Sequence, residues 1–156
     1  MSSMARQALI GVLVFVVQWL VLDRLTLWGA YPDAALLFVA WMGLRNGRRA
    51  GAVTGFTMGL FIDLIHDSWG IHMLVKTLVG FLVGLFPANE RETLLIMPQQ
   101  AFVGGLVIAL LHNVLLILLL ALDAGTRNTF MITSLWLGSA LYTAAVGTLA
   151  SLFNTR

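Results

Sequence analysis

Long apolar stretches separated by short polar turns run through this chain from Gln7 to Phe153, and they limit what it can fold into more than any other feature. Hydrophobic residues make up 60% of the 156 residues and charged residues only 10%, whereas soluble domains average about 45–50% and about 25%. A soluble core could not bury this excess. A disordered chain and a nucleic-acid-binding module are disfavoured, and the absence of cysteine excludes a disulfide scaffold. The composition therefore predicts an all-α integral membrane protein.

The chain has room for about six spanning helices, since each needs about 20 apolar residues. Proline suits the first turn of a helix, and both Pro32 and Pro98 stand where an apolar segment begins. We expect one transmembrane domain, residues 1–156, folded as a compact bundle of about six helices. The predicted helices are Gln7 to Trp28, Asp33 to Leu44, Ala50 to Ile65, Ile71 to Phe86, Pro98 to Leu122 and Thr129 to Phe153.

The distribution of arginine predicts the orientation in the membrane. Loops on the cytoplasmic side of membrane proteins carry an excess of Lys and Arg. If the N-terminus is cytoplasmic, Arg24 and Arg127 fall on the outer side, and both termini lie in the cytoplasm. The basic turn formed by Arg45, Arg48 and Arg49 would then lie beside anionic head groups. Its arginines would either only set the topology or also dock a cytoplasmic partner. The cytoplasmic arginines would be Arg6, Arg45, Arg48, Arg49, Arg91 and Arg156, of which Arg45, Arg48 and Arg49 form the basic turn.

Ionisable groups within a membrane are costly and are therefore candidates for function. Asp23 and Arg24 fall near the outer end of the first predicted helix, where interfacial anchoring explains them. His112 and Asn113 fall near the middle of the fifth predicted helix. We expect one of them to hydrogen-bond to a neighbouring helix, because a proton relay would need a longer chain of such groups.

A second group of polar residues, at positions 63 to 72, could form a metal site. The spacing of Asp63, His66, Asp67 and His72 could present oxygen and nitrogen ligands to a divalent ion. His66 and Asp67 fall in a predicted solvated turn, and no nucleophile with a base and an orienting group stands beside them. We therefore expect no metal, no cofactor and no catalytic residue.

Two rows of residues spaced by four predict that the third and fourth helices pack as an antiparallel hairpin. Glycines at this spacing let membrane helices approach closely. The predicted register places Gly59 opposite Gly80 and Gly55 opposite Gly84, which would bring Asp63 towards Lys76 as an intramembrane polar pair. Lys76 reaching the interface alone is the alternative. The rows are Gly51, Gly55, Gly59 and Asp63, and His72, Lys76, Gly80 and Gly84.

Three features occur in order in the middle of the chain. Tyr31-Pro32-Asp33 opens an apolar segment, and the basic turn from Arg45 to Arg49 follows it. A glycine-rich stretch then ends in G-L-F-I-D-L at Gly59 to Leu64, and a polar turn leads into G-I-H-M-L at Gly70 to Leu74. This order and spacing resemble the MreD family of bacterial rod shape-determining proteins. The positions that match the family motifs are Pro32, Asp33, Asp63, Gly70 and His72.

The resemblance implies a non-catalytic membrane scaffold of the cell-wall elongation machinery, which maintains rod shape in the bacterial cell (inner) membrane. It implies MreC as the partner. It also implies association with MreB, the glycosyltransferase RodA and a class B penicillin-binding transpeptidase in the same complex. Membrane lipids would surround the protein, and nucleic acid is not expected as a partner.

MreD-like chains also resemble, in architecture, the substrate-binding subunits of energy-coupling-factor transporters, which are six-helix bundles. A vitamin-type substrate-binding subunit is therefore the alternative function. Such a subunit needs an outer pocket with several converging polar groups, and the predicted outer loops carry few. Their polar residues are mainly His66, Asp67, Ser68, Asp123, Thr126, Arg127 and Asn128. The scaffold is the favoured interpretation.

Overall fold

The computed structural model describes residues 3–27, 30–68, 70–87, 98–120 and 134–154, and these residues form five α-helices. A 3-10 turn, Leu22–Arg24, follows the first helix, and a π-helical turn, Ser134–Gly138, precedes the last. The prediction of an all-helical protein is confirmed. The helices are α1 (Ser3–Leu20), α2 (Ala34–His66), α3 (Ile71–Val83), α4 (Pro98–Leu120) and α5 (Ser139–Asn154).

Two segments of the described residues are long and apolar enough to cross a membrane, Met4–Arg24 and Pro98–Leu120. Two shorter apolar helices, Ile71–Val83 and Trp136–Leu152, accompany them. The first α-helix is shorter than predicted, since α1 ends at Leu20 and not at Trp28. The hydrogen bonds from the N–H of Arg24 to Val21 and from the N–H of Leu25 to Leu22 tighten the chain into the 3-10 turn.

Gly47 divides α2 into two antiparallel arms, the first arm (residues 34–46) and the second arm (residues 48–66). Its backbone, at φ 82° and ψ 179°, is non-helical and lies in a region that favours glycine. A Cβ built on Gly51 would lie 2.9 Å from the Cα of Gly43, although eight residues along a straight helix span about 12 Å. The chain therefore reverses at Gly47, and the two arms correspond to the second and third predicted helices.

The second arm packs against α3 through glycine. A Cβ on Gly51 would overlap the carbonyl group of Gly80, one on Gly55 would overlap that of Lys76, and one on Gly84 would overlap the backbone of Arg48. The two helices are antiparallel and their backbones touch. Such contact supplies van der Waals attraction where lipid removes the hydrophobic drive between helices.

The predicted register of this hairpin is wrong by about two helical turns. Gly59 faces His72 and Met73, and Gly55 faces Lys76, whereas the prediction placed them opposite Gly80 and Gly84. The register differs because the first turn of α3 lies beside Asp63, whereas the prediction placed Lys76, farther along α3, beside Asp63. The carboxylate of Asp63 accepts the N–H groups of His72 and Met73 and holds α3 in that position.

The bundle has two chemically different ends. The basic end carries the turn around Gly47, where Arg45, Arg48 and Arg49 are all exposed. The amide of Asn46 in this turn donates to Gln7 Oε1 at 3.1 Å, which places the start of α1 at the basic end. The opposite end carries the α2–α3 turn and the 3-10 turn. Between the two ends, one apolar core cluster joins α2, α3, α4 and α5 through Leu36, Val75, Val79, Ala109, Leu116 and Ala140.

Replacement of Gly55 by alanine should destabilise the fold, because the added methyl group must displace the backbone of α3 at Lys76. Overpacking of this kind costs about 1–3 kcal/mol. The matched control is Gly104→Ala in α4, where a Cβ meets no atom within 4 Å. The control should be neutral or up to about 1 kcal/mol more stable, since alanine is the better helix former. Thermal unfolding in detergent, followed by circular dichroism, measures the difference, and equal melting temperatures would contradict this packing.

Candidate functional site

Tyr31-Pro32-Asp33 forms the entry to α2 and receives side chains from two other helices. The Oδ1 of Asp33 accepts the N–H of Leu36 at 2.8 Å and so caps α2. The N–H of Asp33 donates to Oγ1 of Thr143 on α5 at 3.0 Å. The carbonyl of Pro32 accepts a hydrogen bond from Nε2 of Gln18 on α1 at 3.0 Å. This short segment therefore joins α1, α2 and α5.

The second carboxylate oxygen of Asp33 binds the ammonium group of Lys76 on α3. Lys76 is completely buried, and Asp33 is only 6% exposed. A buried charge is tolerated only where a counter-charge and hydrogen bonds compensate for the water it has lost. Asp33 supplies both, and the pair ties the start of α2 to the middle of α3.

The predicted pair of Asp63 with Lys76 is wrong. Asp63 Oδ1 accepts the N–H of His72 at 3.0 Å, and Oδ2 accepts the N–H of Met73 at 2.8 Å. The hydroxyl group of Ser68 also donates to Oδ1 at 2.9 Å. The carboxylate therefore satisfies N–H groups in the first turn of α3, which have no partner within their own helix.

Gly70 and His72, which we matched to the family motif from the sequence, also lie at this turn. Gly70 precedes α3 with φ at 83°, a left-handed conformation that glycine adopts without strain. His72 follows it, and its ring centroid lies 6.4 Å from that of His66. The motif positions around Asp63 therefore build the turn from α2 into α3.

A second polar chain connects α1 to the opposite end of the bundle. Gln18 is 2% exposed; its Oε1 accepts the N–H of Ala34 at 2.8 Å, and its Nε2 donates to Asp23 Oδ1 at 2.7 Å. The other oxygen of Asp23 lies 3.2 Å from His66 Nε2. Asp23 thus connects α1 to α2. The sequence had suggested only that it anchors the chain at the interface.

His112 and Asn113 lie on α4 on the inner side of the bundle. Nδ1 of His112 lies 3.1 Å from Oδ1 of Asn113, and Nδ2 of Asn113 donates to the carbonyl of Trp136 at 3.1 Å. The expected hydrogen bond from this pair to a neighbouring helical segment is present. Both side chains are buried. Together with Gln18, Asp23, Asp33, Asp63, His72 and Lys76, they are called the polar cluster.

The carboxylates of the polar cluster hold the described helices together. They bind an ammonium group, helix N–H groups or a neighbouring side chain. Nδ1 of His72 and Nε2 of His112 are buried there without a hydrogen-bond partner among the described residues. In the described ranges, no three His, Asp or Glu side chains converge on a point where a metal ion could bind.

A groove of about 1100 Å³ lies towards the basic end. Its walls come from α1, the first arm, α4 and α5, and they are mainly apolar. Arg45 lies on its edge, with the guanidinium carbon 5.4 Å from the centre of the Trp41 ring. Arg48 and Arg49 are exposed in the same turn and do not line the groove.

The polar cluster contains residues that we did not predict from the sequence. Gln18 is the one hydrophilic side chain between Ala8 and Leu22, and this isolation could have indicated an interhelical bond. Thr143 and Ser139 belong to a row of small residues on the last predicted helix, and Ser139 donates to the carbonyl of Tyr31 at 2.8 Å. No sequence pattern indicates that Asp33 and Lys76 meet across 43 residues.

Removal of the Lys76 charge should destabilise the protein, because the Asp33 carboxylate is then buried without a counter-charge. Loss of one partner of a buried pair costs about 3–5 kcal/mol. The double variant Asp33→Asn/Lys76→Met should recover most of this loss, since asparagine keeps the cap oxygen and removes the charge. Unfolding free energies in detergent measure both variants.

The matched control is Asp63→Asn/Lys76→Met, which neutralises the carboxylate that does not touch Lys76. It should be no more stable than Lys76→Met alone. If this control regains stability and the Asp33 double variant does not, Lys76 pairs with Asp63 and not with Asp33.

Comparison with known proteins identifies a family. A sequence model of the family described as "rod shape-determining protein MreD" matches residues 3–154, which is nearly the whole chain. No curated protein and no solved structure matches.

Proposed function

Because the chain belongs to the MreD family of rod shape-determining proteins, we propose that it is a membrane scaffold of the cell-wall elongation machinery that binds MreC. The family match over residues 3–154 is the observation that carries this proposal. Proteins of this family are non-catalytic membrane proteins that take part in rod-shape determination. Two features support a scaffold that binds MreC. Buried polar side chains hold the helices together, and the lateral faces of the helices are apolar.

Four buried polar side chains of the described residues hold the helices in position. Asp33 and Asp63 cap helices, Lys76 neutralises Asp33, and Gln18 joins α1 to α2. A scaffold needs a stable shape and apolar lateral faces to meet other membrane helices. Large apolar side chains are exposed on every one of the five helices, which suits such contacts as well as contact with lipid.

The proposed partners follow from the family. MreC is the direct partner, and MreB, RodA and a class B penicillin-binding transpeptidase belong to the same complex. The exposed turn of Arg45, Arg48 and Arg49 is available either to lipid head groups or to a cytoplasmic partner such as MreB.

We further propose one domain, residues 1–156, of about six spanning helices in the bacterial inner membrane, with both termini cytoplasmic. The two arms of α2 supply the second and third of these helices. The start of α1 lies at the basic end, because Gln7 binds Asn46. The excess of arginine at this end supports a cytoplasmic location. The predicted orientation also uses three arginines that lie outside the described residues, Arg91, Arg127 and Arg156.

A vitamin-binding subunit of an energy-coupling-factor transporter remains the alternative function. It would need an outer pocket with converging polar groups. The groove of about 1100 Å³ is mainly apolar and lies towards the basic end, whereas the polar groups at the opposite end bind one another. These observations support the scaffold.

Purification of the tagged chain from its host in mild detergent should recover MreC, identified by mass spectrometry. An unrelated polytopic membrane protein with the same tag, purified from the same cells, is the control and should not recover it. Recovery of an ATPase-driven transport module in place of MreC would support the alternative function and contradict the scaffold.

Single cysteines should report the orientation, since the chain has no cysteine of its own. Arg49→Cys, in the exposed basic turn, should react with a membrane-impermeant thiol reagent only in inside-out vesicles. Leu27→Cys, whose side chain is exposed near the opposite end, should react only in right-side-out vesicles. The reverse pattern would overturn the proposed topology.

A further inference from the structure

The groove towards the basic end is a candidate for a ligand that neither the family match nor the polar cluster explains. Its lining includes Ile10 and Val14 of α1, Leu37 of the first arm, and Val103 and Val107 of α4. Val103 and Val107 are each more than half exposed. At about 1100 Å³, the groove is slightly larger than typical ligand sites, which measure roughly 300–1,000 Å³.

The length of the groove suits one leaflet of a membrane. It follows the first arm from Ala34 to Arg45, which is about 17 Å at about 1.5 Å per residue. Half of the hydrocarbon core is about 15 Å thick. A lipid chain with its head group at Arg45 would therefore end near the middle of the bilayer. A partner helix that crosses the whole core, about 30 Å, would extend well beyond the groove.

The polar residues of the groove favour an anionic head group. Arg45 makes no ion pair with any residue in the described ranges, and its guanidinium group lies over the Trp41 ring, which holds it at the edge of the groove. Gln100 also lines the groove, and its Oε1 is buried without a hydrogen-bond partner among the same residues. A phosphate would pair with Arg45, and a head-group hydroxyl would donate to Gln100. An apolar helix would satisfy neither group.

We propose that this groove binds one anionic phospholipid with a hydroxylated head group, taken from the leaflet at the basic end. Its phosphate lies against Arg45, its head-group hydroxyl against Gln100, and one acyl chain lies along the groove between α1 and α4. Basic pockets between membrane helices bind anionic head groups in this way. The site does not depend on the proposed binding of MreC.

Gly104 allows the groove to be filled without damage to the packing of the bundle. It lines the groove, and a Cβ built on it meets no atom within 4 Å. Gly104→Trp should therefore occupy the path of the acyl chain. The matched control is Leu118→Trp, which places the same side chain on α4 at a position that is 59% exposed and outside the groove.

Native mass spectrometry of the delipidated protein, titrated with phosphatidylglycerol and with phosphatidylcholine of the same acyl chains, tests the site. We expect one phosphatidylglycerol to bind per chain, about fivefold tighter than phosphatidylcholine, which is the effect of one arginine beside an anionic lipid. Arg45→Gln should lower this preference, with the hydroxyl contact to Gln100 remaining, whereas Arg49→Gln, in the same turn and outside the groove, should retain it in full. Gly104→Trp should weaken the binding of both lipids at least tenfold, and Leu118→Trp should bind them as the wild type does. Equal binding of the two lipids by the wild type, or unchanged binding by Gly104→Trp, would overturn the proposal.

A photoreactive benzoylphenylalanine at position 104 identifies the occupant in native membranes. A product heavier by the mass of one anionic phospholipid supports the proposal. A covalent product with a second copy of the chain, or with another membrane protein, would show that a helix covers the groove and would overturn it. Because this measurement is made in the membrane, it does not depend on how the tryptophan variant folds in detergent.

Discussion

The buried charge of Lys76 constrains the rest of the structure. An uncompensated lysine at the centre of a spanning helix costs about 2.5–3.5 kcal/mol, and Lys76 has no exposed surface through which it could reach water. Asp33 neutralises it and caps α2 at the same time. For that to happen the start of α2 must lie against the middle of α3, which requires the chain to reverse twice, at Gly47 and at the turn near Gly70.

The helices that surround this pair are held by the two kinds of contact that remain effective in a membrane. Glycine allows the backbones of α2 and α3 to touch at Gly51 and Gly80, and dispersion attraction rises with that proximity. Side-chain hydrogen bonds join the other helices, from Gln18 on α1 to Pro32 and from Asp33 to Thr143 on α5. The structure thus has a tightly packed centre at α2 and α3. Away from it, α1 rests mainly on α2, and the groove opens between α1 and α4.

This division of the structure suits a protein of the MreD family, whose role is in rod-shape determination. Gln18, Asp33, Asp63 and Lys76 fix the positions of helices, and the outer faces carry large apolar side chains. Such faces can meet lipid or the helices of partner proteins. The basic end differs, because Arg45 lies both on the exposed turn and on the edge of the groove. A lipid bound there would become part of the surface that a partner at the basic end meets.

The sequence alone determined the class of the protein and most of its helices. Its apolar stretches predicted an all-helical membrane protein, and Pro98 marked the start of α4. These features are local, because hydropathy and proline act on the segment that contains them. The motifs from Pro32 to Leu74 were enough to suggest the family that the match over residues 3–154 then showed.

Only the tertiary structure decided which charges meet. From the sequence, Asp63 and Lys76 were partners because both lay on rows that face each other in an assumed register. The register depends on where α3 begins, and Asp63 itself sets that point by capping His72 and Met73. Asp33, which is 43 residues from Lys76, then becomes its partner through the reversal at Gly47. A long-range pairing of this kind follows from the packing of helix backbones, and residue spacing within one helix carries no information about it.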